Sequence, residues 1–331
     1  MRLLVLGGTK FLGRHAVAEA LRRGHEVTMF NRGQTAPGLF PEAEEIHGDR
    51  DGGLAPLESG QWDAVIDTSG YFPRVVRDSA RLLADRAESY LFVSSESVYA
   101  ANDMPGQDET APVGTLDDPS VEEITEDTYG PLKVQCEREV ERAFAGRSLS
   151  ARFGLIVGPH DPTDRFTYWV RRVADGGQVL VPGPPDAPLQ VIDGRDGGAW
   201  LVSAAEARTA GTFNVVGPDL PFMFTDLLET CRAAANGDAE FTWVDPGFLL
   251  ERGVEPWSDL PLWLPGPEYA GFMRRDVRRA IGEGLRFRPL AETVADTLAW
   301  DSSRDVERLS AGIDRDREAE LLQAWRGRAA G

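Results

Sequence analysis

Short apolar runs alternate along the first half of the chain with longer segments in which apolar side chains recur every three or four positions. Arg2–Leu6, Glu26–Phe30, Glu44–His47, Ala64–Asp67, Tyr90–Ser94 and Leu149–Phe153 read as strands. Phe11–Arg23, closed by Gly24, about Pro73 to Ala87 and about Thr128 to Ala145 read as helices. Strict alternation of this kind predicts an α/β fold, a doubly wound parallel sheet covered by helices on both faces. Beyond Gly158 the rhythm loosens, and proline and tryptophan concentrate in Asp245–Pro267. Thr212–Val216 is expected to return to the main sheet, and a charged helix is expected over about Ser303–Arg326. Residues 1–157 with about 197–218 should form the sheet domain, and about 158–196 with 219–331 a smaller helix-rich lobe.

At 331 residues the chain is long enough for one large α/β domain or two smaller lobes. Its formal charge of −19 sets it against nucleic acid, because a phosphate backbone would be repelled overall. Cys136 and Cys231 make no metal or disulfide framework and read as reduced thiols. The apolar run Leu3–Leu6 breaks at Gly7–Gly8, too short for a signal peptide, and no segment approaches about 18 apolar residues. These features predict a cytoplasmic protein with a small-molecule partner, without membrane or nucleic acid.

The most specific local signal is Val5-Leu6-Gly7-Gly8-Thr9-Lys10-Phe11-Leu12-Gly13, between the first strand and the first helix. Glycines at that junction allow a tight turn and close approach of backbone to a pyrophosphate, and the helix N-terminus supplies oriented N–H donors. The turn therefore predicts dinucleotide binding in a Rossmann sheet. Lys10 is one of only two lysines beside 33 arginines. Its ammonium either contacts the pyrophosphate or a 2′-phosphate, or it points into water. After the second strand comes Asn31-Arg32 where an acidic residue would select NAD. Asn31 has no charge to repel a 2′-phosphate and Arg32 can clamp one, so NADP(H) is expected over NAD(H). Asp49 reads as a contact to the adenine amino group or as a solvated turn residue.

Further on, Phe92-Val93-Ser94-Ser95-Glu96-Ser97-Val98-Tyr99 follows the fifth strand and Tyr129-Gly130-Pro131-Leu132-Lys133 opens a helix. Tyr129 and Lys133 stand at i and i+4, on one helix face. A tyrosine of ordinary pKa near 10 is a poor base, and a neighbouring ammonium would lower that value. Ser95, at a strand end, can hold a substrate oxygen while Tyr129 moves the proton. The survival of Lys133 in an arginine-rich chain fits a need for a compact ammonium. With the N-terminal turn and Glu109-x-x-Pro112, these motifs strongly resemble the extended short-chain dehydrogenase/reductases, the NAD(P)-dependent epimerase/dehydratase family. The resemblance implies that Ser95, Tyr129 and Lys133 are catalytic, that Lys133 reaches the nicotinamide ribose, and that Thr68 and Ser69 line it. A homodimer through the helices flanking the fifth strand is also implied.

Departures from the nucleotide-sugar members narrow the reaction. The sequence offers Glu96 beside Ser95 and then Ser97, so the base of the 4,6-dehydratases is missing. Leu155 and Leu189 stand where the resemblance leads one to expect a diphosphate-binding asparagine and an arginine. Arg165, Arg171 and Arg172 either replace those phosphate contacts or are solvated helix charges. Tyr71 and Glu96 are further candidate substrate residues, Tyr71 with packing as its alternative. The loop Ala100–Thr128, rich in Asp and Glu and without Lys or Arg, is expected at the site mouth. The favoured function is an NADP(H)-dependent reductase or dehydrogenase acting on a ketone or secondary alcohol. A cofactor-retaining epimerase of a sugar or sugar nucleotide is the alternative, and a non-catalytic sensing or RNA-binding relative a minor one.

Overall fold

The computed structural model describes residues 1–329. Seven parallel strands form the main sheet: β1 (Arg2–Leu6), β2 (Glu26–Asn31), β3 (Glu44–His47), β4 (Trp62–Asp67), β5 (Ala87–Ser95), β6 (Ser148–Phe153) and β7 (Gly211–Val215). They lie in the order β7-β6-β5-β4-β1-β2-β3. The order reverses between β1 and β4, and in such sheets ligands bind beyond the strand ends at that point. Alternate residues face opposite sides. Leu3 and Val5 pack with Met29, Ile66, Trp200 and Phe213 on one face. Leu4 and Leu6 pack with Val65, Val76, Tyr90, Phe92 and Phe144 on the other. Burial on both faces explains why the strands read as apolar runs.

The first face is covered by helices α1 (Phe11–Arg22) and α4 (Gly194–Ala207), the second by α2 (Pro73–Leu83) and α3 (Glu126–Ala143). α1 and α4 approach closely because Gly198 has no side chain; a Cβ there would lie 2.8 Å from the Ala16 nitrogen. α3 starts at a capping box in which the Thr125 and Thr128 side chains each serve the other's backbone N–H. α2 stops at Leu83, short of the predicted Ala87, because the Arg86 N–H turns back to the Leu83 carbonyl at 2.9 Å and β5 already begins at Ala87.

The chain divides into two compact units. The first comprises residues 1–156, 191–219 and 275–287. It includes 191–196 and 275–287, which the sequence reading gave to the lobe; Ile192, Val277, Ala280 and Leu285 are buried in the sheet core. Arg275 is bonded to Asn102 and Gln107, and the Asp276 N–H donates to the Gln107 carbonyl at 3.0 Å. The acidic loop is thereby pinned. Arg74 of α2 holds it at a second point through Glu122 at 2.9 Å.

The second unit comprises 157–190, 220–274 and 288 onward. Helices Arg165–Ala174, Phe224–Ala235 and Leu290–Ser302 pack together beside a parallel strand pair, Gln178–Pro182 with Glu240–Val244. Here the C-terminal helix spans Arg315–Ala329, so its predicted start at Ser303 is corrected. Gly312 has φ 99° and lies against Tyr168, where a Cβ would come within 2.0 Å of the ring. The chain must turn there, and Asp314 then accepts the Arg317 N–H at 2.8 Å to open the helix. Arg171 and Arg172 are neither phosphate ligands nor solvated charges. Arg171 pairs with Asp301 at 2.6 Å, and buried Arg172 pairs with Glu318 at 2.8 Å. No helix among the described residues is long and apolar enough to cross a membrane.

Candidate active site

The glycine turn leaves β1 with Gly7 at φ 107° and Gly8 at φ 90°. A Cβ on Gly7 would lie 2.6 Å from the Thr68 Oγ1, and one on Gly13 would lie 2.9 Å from the same atom and 3.1 Å from the Gly8 Cα. The backbone is therefore bare on a surface that side chains would close, and it runs into the N-terminus of α1. This fits a pyrophosphate. Phe11 itself has φ 32°, a conformation that an L side chain rarely adopts. Its ring turns to His15, and Leu12 is buried in the core, so both offer only backbone. Thr9 is half-buried, and exposed Lys10 makes no ion pair among the described residues.

Thr68 and Ser69 lie directly under the turn. Each hydroxyl donates to the Leu6 carbonyl, at 3.0 and 3.1 Å, and is left as an acceptor. At the end of β2 the Asn31 amide donates to Glu45 on β3 at 3.0 Å, and its oxygen accepts the Gly33 N–H at 2.6 Å. Glu45 thus brings a carboxylate beside the residue chosen for having none, an opposing group that the sequence reading missed. Arg32 is exposed and makes no ion pair among the described residues. Asp49 is exposed and accepts the Asp51 N–H at 2.9 Å, closing a turn.

Ser95 ends β5 and caps the short turn Glu96–Val98, its hydroxyl oxygen accepting the Ser97 N–H at 3.1 Å. Tyr129 is half-buried, with its phenol near enough to Ser95 for that side chain to favour the phenolate. Gly130 sets this approach. A Cβ at Gly130 would lie 1.9 Å from the Ser97 carbonyl oxygen, so α3 is pressed onto the turn as only glycine permits. A glycine inside a helix carries a packing reason, and that was the available signal.

Lys133, at 3% exposure, donates to the Gly70 carbonyl at 2.7 Å and the Val93 carbonyl at 2.6 Å. Its ammonium lies 4.2 Å from the Phe92 ring centroid and 5.4 Å from that of Tyr71. Desolvation lowers its pKa to about 8. The expected depression of the Tyr129 pKa by this ammonium is not found. Burial raises the phenol above its ordinary value, Tyr71 adds to the rise, and Ser95 alone among its neighbours works downward. The lysine ammonium is held by a carbonyl of the segment after β4 and one within β5, and burial favours the neutral Tyr129 phenol. Tyr71, 45% exposed, lies beside them.

Glu96 is buried and not open to solvent. It is 4% exposed and points into the first unit, 3.7 Å from the Arg275 guanidinium. Burial raises its pKa to about 8 despite Arg275. The folded chain therefore holds this proton more tightly than the unfolded one, a stabilisation complete below about pH 4.5 and lost as pH rises through about 8. Glu96→Gln, neutral at every pH, should gain stability relative to the parent between about pH 5 and pH 9. Unfolding midpoints across that range test it; a difference independent of pH counts against the assignment.

In the second unit, Arg165 opens its helix with the guanidinium 4.9 Å from the Trp257 ring centroid. It makes no ion pair among the described residues. Leu189 is fully buried and Leu155 half-buried.

No family model matches the chain. It is 28% identical over 302 residues, 85% of this chain and 94% of the relative, to a dTDP-6-deoxy-L-talose 4-dehydrogenase (NAD(P)(+)) of Kitasatospora kifunensis. A shorter match, 29% identical over 31% of each chain, is to the chloroplast stem-loop binding protein of 41 kDa b of Arabidopsis thaliana. Among solved structures, the UDP-Glc/GlcNAc 4-epimerase of Campylobacter jejuni superposes with a TM-score of 0.69 at 13% identity, covering 92% of this chain and 99% of that one. The glycine cradle, the nearness of Tyr129 to Ser95 and the buried Lys133 agree with these likenesses: the chain resembles the extended short-chain dehydrogenase/reductases, and the comparisons support an enzyme of the NAD(P)-dependent epimerase and dehydrogenase type.

Proposed function

We propose that this chain is an NADP(H)-dependent reductase or dehydrogenase that interconverts a ketone and a secondary alcohol of a small molecule. The observation that carries the reading is the Tyr129 phenol lying beside Ser95 at the end of β5, with Lys133 buried on the same helix. Gly7, Gly8, Gly13 and the N–H groups of residues 9–13 would hold the pyrophosphate, and Thr68, Ser69 and Lys133 would line the nicotinamide ribose. When bound, the dinucleotide supplies or accepts the hydride. Ser95 holds the substrate oxygen, and Tyr129, kept protonated by burial, delivers the proton in reduction and recovers it in oxidation. Two of the three Lys133 N–H groups are taken by carbonyls, which leaves one for the phenol oxygen or the ribose. The sugar-nucleotide dehydrogenase among its relatives supports hydride exchange on a carbinol. The acidic charge opposes the RNA-binding reading suggested by the short plastid match.

Lys10 and Arg32, both exposed and without an ion pair among the described residues, favour a 2′-phosphate against the opposing Glu45. Thermal shifts with NAD⁺, NADP⁺, NADH and NADPH test this directly, since a ligand at a hundredfold excess over Kd stabilises by about 2.7 kcal/mol. The phosphorylated forms should give the larger shift, and Arg32→Ala should erase the difference. A larger shift with NAD⁺ would reverse the preference. Dinucleotide that co-purifies and is not consumed stoichiometrically would favour the epimerase.

A further inference from the structure

Arg50 has no part in the chemistry described so far, yet it makes one of the most heavily bonded side-chain contacts in the first unit. It leaves the loop behind β3, directly after Asp49, and its guanidinium grips Asp67 at the end of β4. The Nη1–Oδ1 and Nη2–Oδ2 distances are both 2.5 Å. Nη2 also reaches Ser79 at 2.8 Å and the Tyr90 hydroxyl at 3.2 Å, while Nη1 lies 3.4 Å from the Ser69 hydroxyl. Asp67 is fully buried; it accepts in addition the Tyr90 hydroxyl at 2.7 Å and the Ser69 N–H at 3.1 Å.

A buried ion pair of this kind is a poor investment in stability, since apolar residues of similar volume commonly do as well. What the pair provides is position. Asp67 fixes the Ser69 N–H, and the segment Thr68–Ser69–Gly70 that follows underlies Gly7 and gives its Gly70 carbonyl to Lys133. The same guanidinium restrains the loop that carries Asp49. One planar group therefore ties the segment expected at the adenine end of the dinucleotide to the segment expected at its nicotinamide end.

We propose that Arg50 is a positioning residue for the dinucleotide, acting through Asp67 to hold the two ends of the cradle in register. The inference rests on the dinucleotide reading above. It requires the bidentate fork, which an ammonium cannot supply.

The test measures NADPH affinity, by fluorescence enhancement of the bound nucleotide, beside the unfolding midpoint of the intact chain. Arg50→Met alone strands a buried carboxylate, so the informative variant is Arg50→Met with Asp67→Asn, which removes both charges and keeps an acceptor for Ser69. Its midpoint should stay within a few degrees of the parent while the Kd for NADPH rises tenfold or more. Arg50→Lys, which keeps the charge and loses the fork, should weaken binding severalfold, and it carries the test if the double variant does not fold. Parental affinity in either folded variant overturns the inference alone. A parent chain that binds no dinucleotide overturns both the inference and the function it rests on.

Discussion

Tyr129→Phe should lower turnover by about two to four orders of magnitude, the range that a positioned proton donor contributes. The substitution removes one hydroxyl and keeps the ring. That hydroxyl faces Ser95, so the fold and the glycine cradle lose nothing structural with it. Dinucleotide affinity and the unfolding midpoint are therefore expected to stay at the parental values. The loss should fall on kcat, because the proton is transferred in the transition state. Steady-state kinetics with saturating dinucleotide, beside a binding titration, check the claim. Turnover within a factor of a few of the parent would remove Tyr129 from the chemistry.

Gly130→Ala should be nearly as damaging, for a reason that side-chain chemistry does not supply. On helix propensity alone the change is favourable by about 1 kcal/mol. The added Cβ, however, would sit 1.9 Å from the Ser97 carbonyl oxygen and 2.8 Å from its carbon. Those are backbone atoms of a turn capped by Ser95, and they cannot swing aside as a flexible side chain would. α3 must withdraw from the turn, which costs about 1–3 kcal/mol of packing and draws Tyr129 away from Ser95 in the same movement. A tenfold or larger fall in kcat in a folded variant is expected. Kinetics and thermal unfolding of this variant measure the two effects separately; full activity would show that the close contact does not position the pair.

The layered fold and the places of its strands were legible in the sequence because parallel strands buried on both faces write themselves as apolar runs, although β5 starts at Ala87 and β4 at Trp62, ahead of the expected Tyr90 and Ala64. The glycine turn was legible because Gly7, Gly8 and Gly13 sit between a strand and a helix, where few other structures need them. The spacing of Tyr129 and Lys133 placed them on one helix face. Direction and partnership were not legible. Glu96 lies next to Ser95 in sequence but points into the core toward Arg275, a residue far along the chain. Spacing suggested that Lys133 would act on Tyr129; the carbonyls of Gly70 and Val93 claim its ammonium instead. Arg171 and Arg172 looked like free cations because Asp301 and Glu318, their partners, are more than a hundred residues away. Arg50 carried no motif at all, and only the ends of β3 and β4 brought together reveal what it holds.

Assembly of the first unit from residues 1–156, 191–219 and 275–287 sets an order on how a newly made chain can fold. While the first half emerges from the ribosome, β6 is an edge strand, because its neighbour β7 is not made until residue 215. The buried side chains of Val277, Ala280 and Leu285 arrive later still. Until β7 is made, β6 stands open to pairing with another chain, and until those side chains arrive part of one apolar face stays uncovered. The nascent first unit therefore keeps apolar surface exposed until residue 287 is free to fold, the condition under which large domains are prone to aggregate.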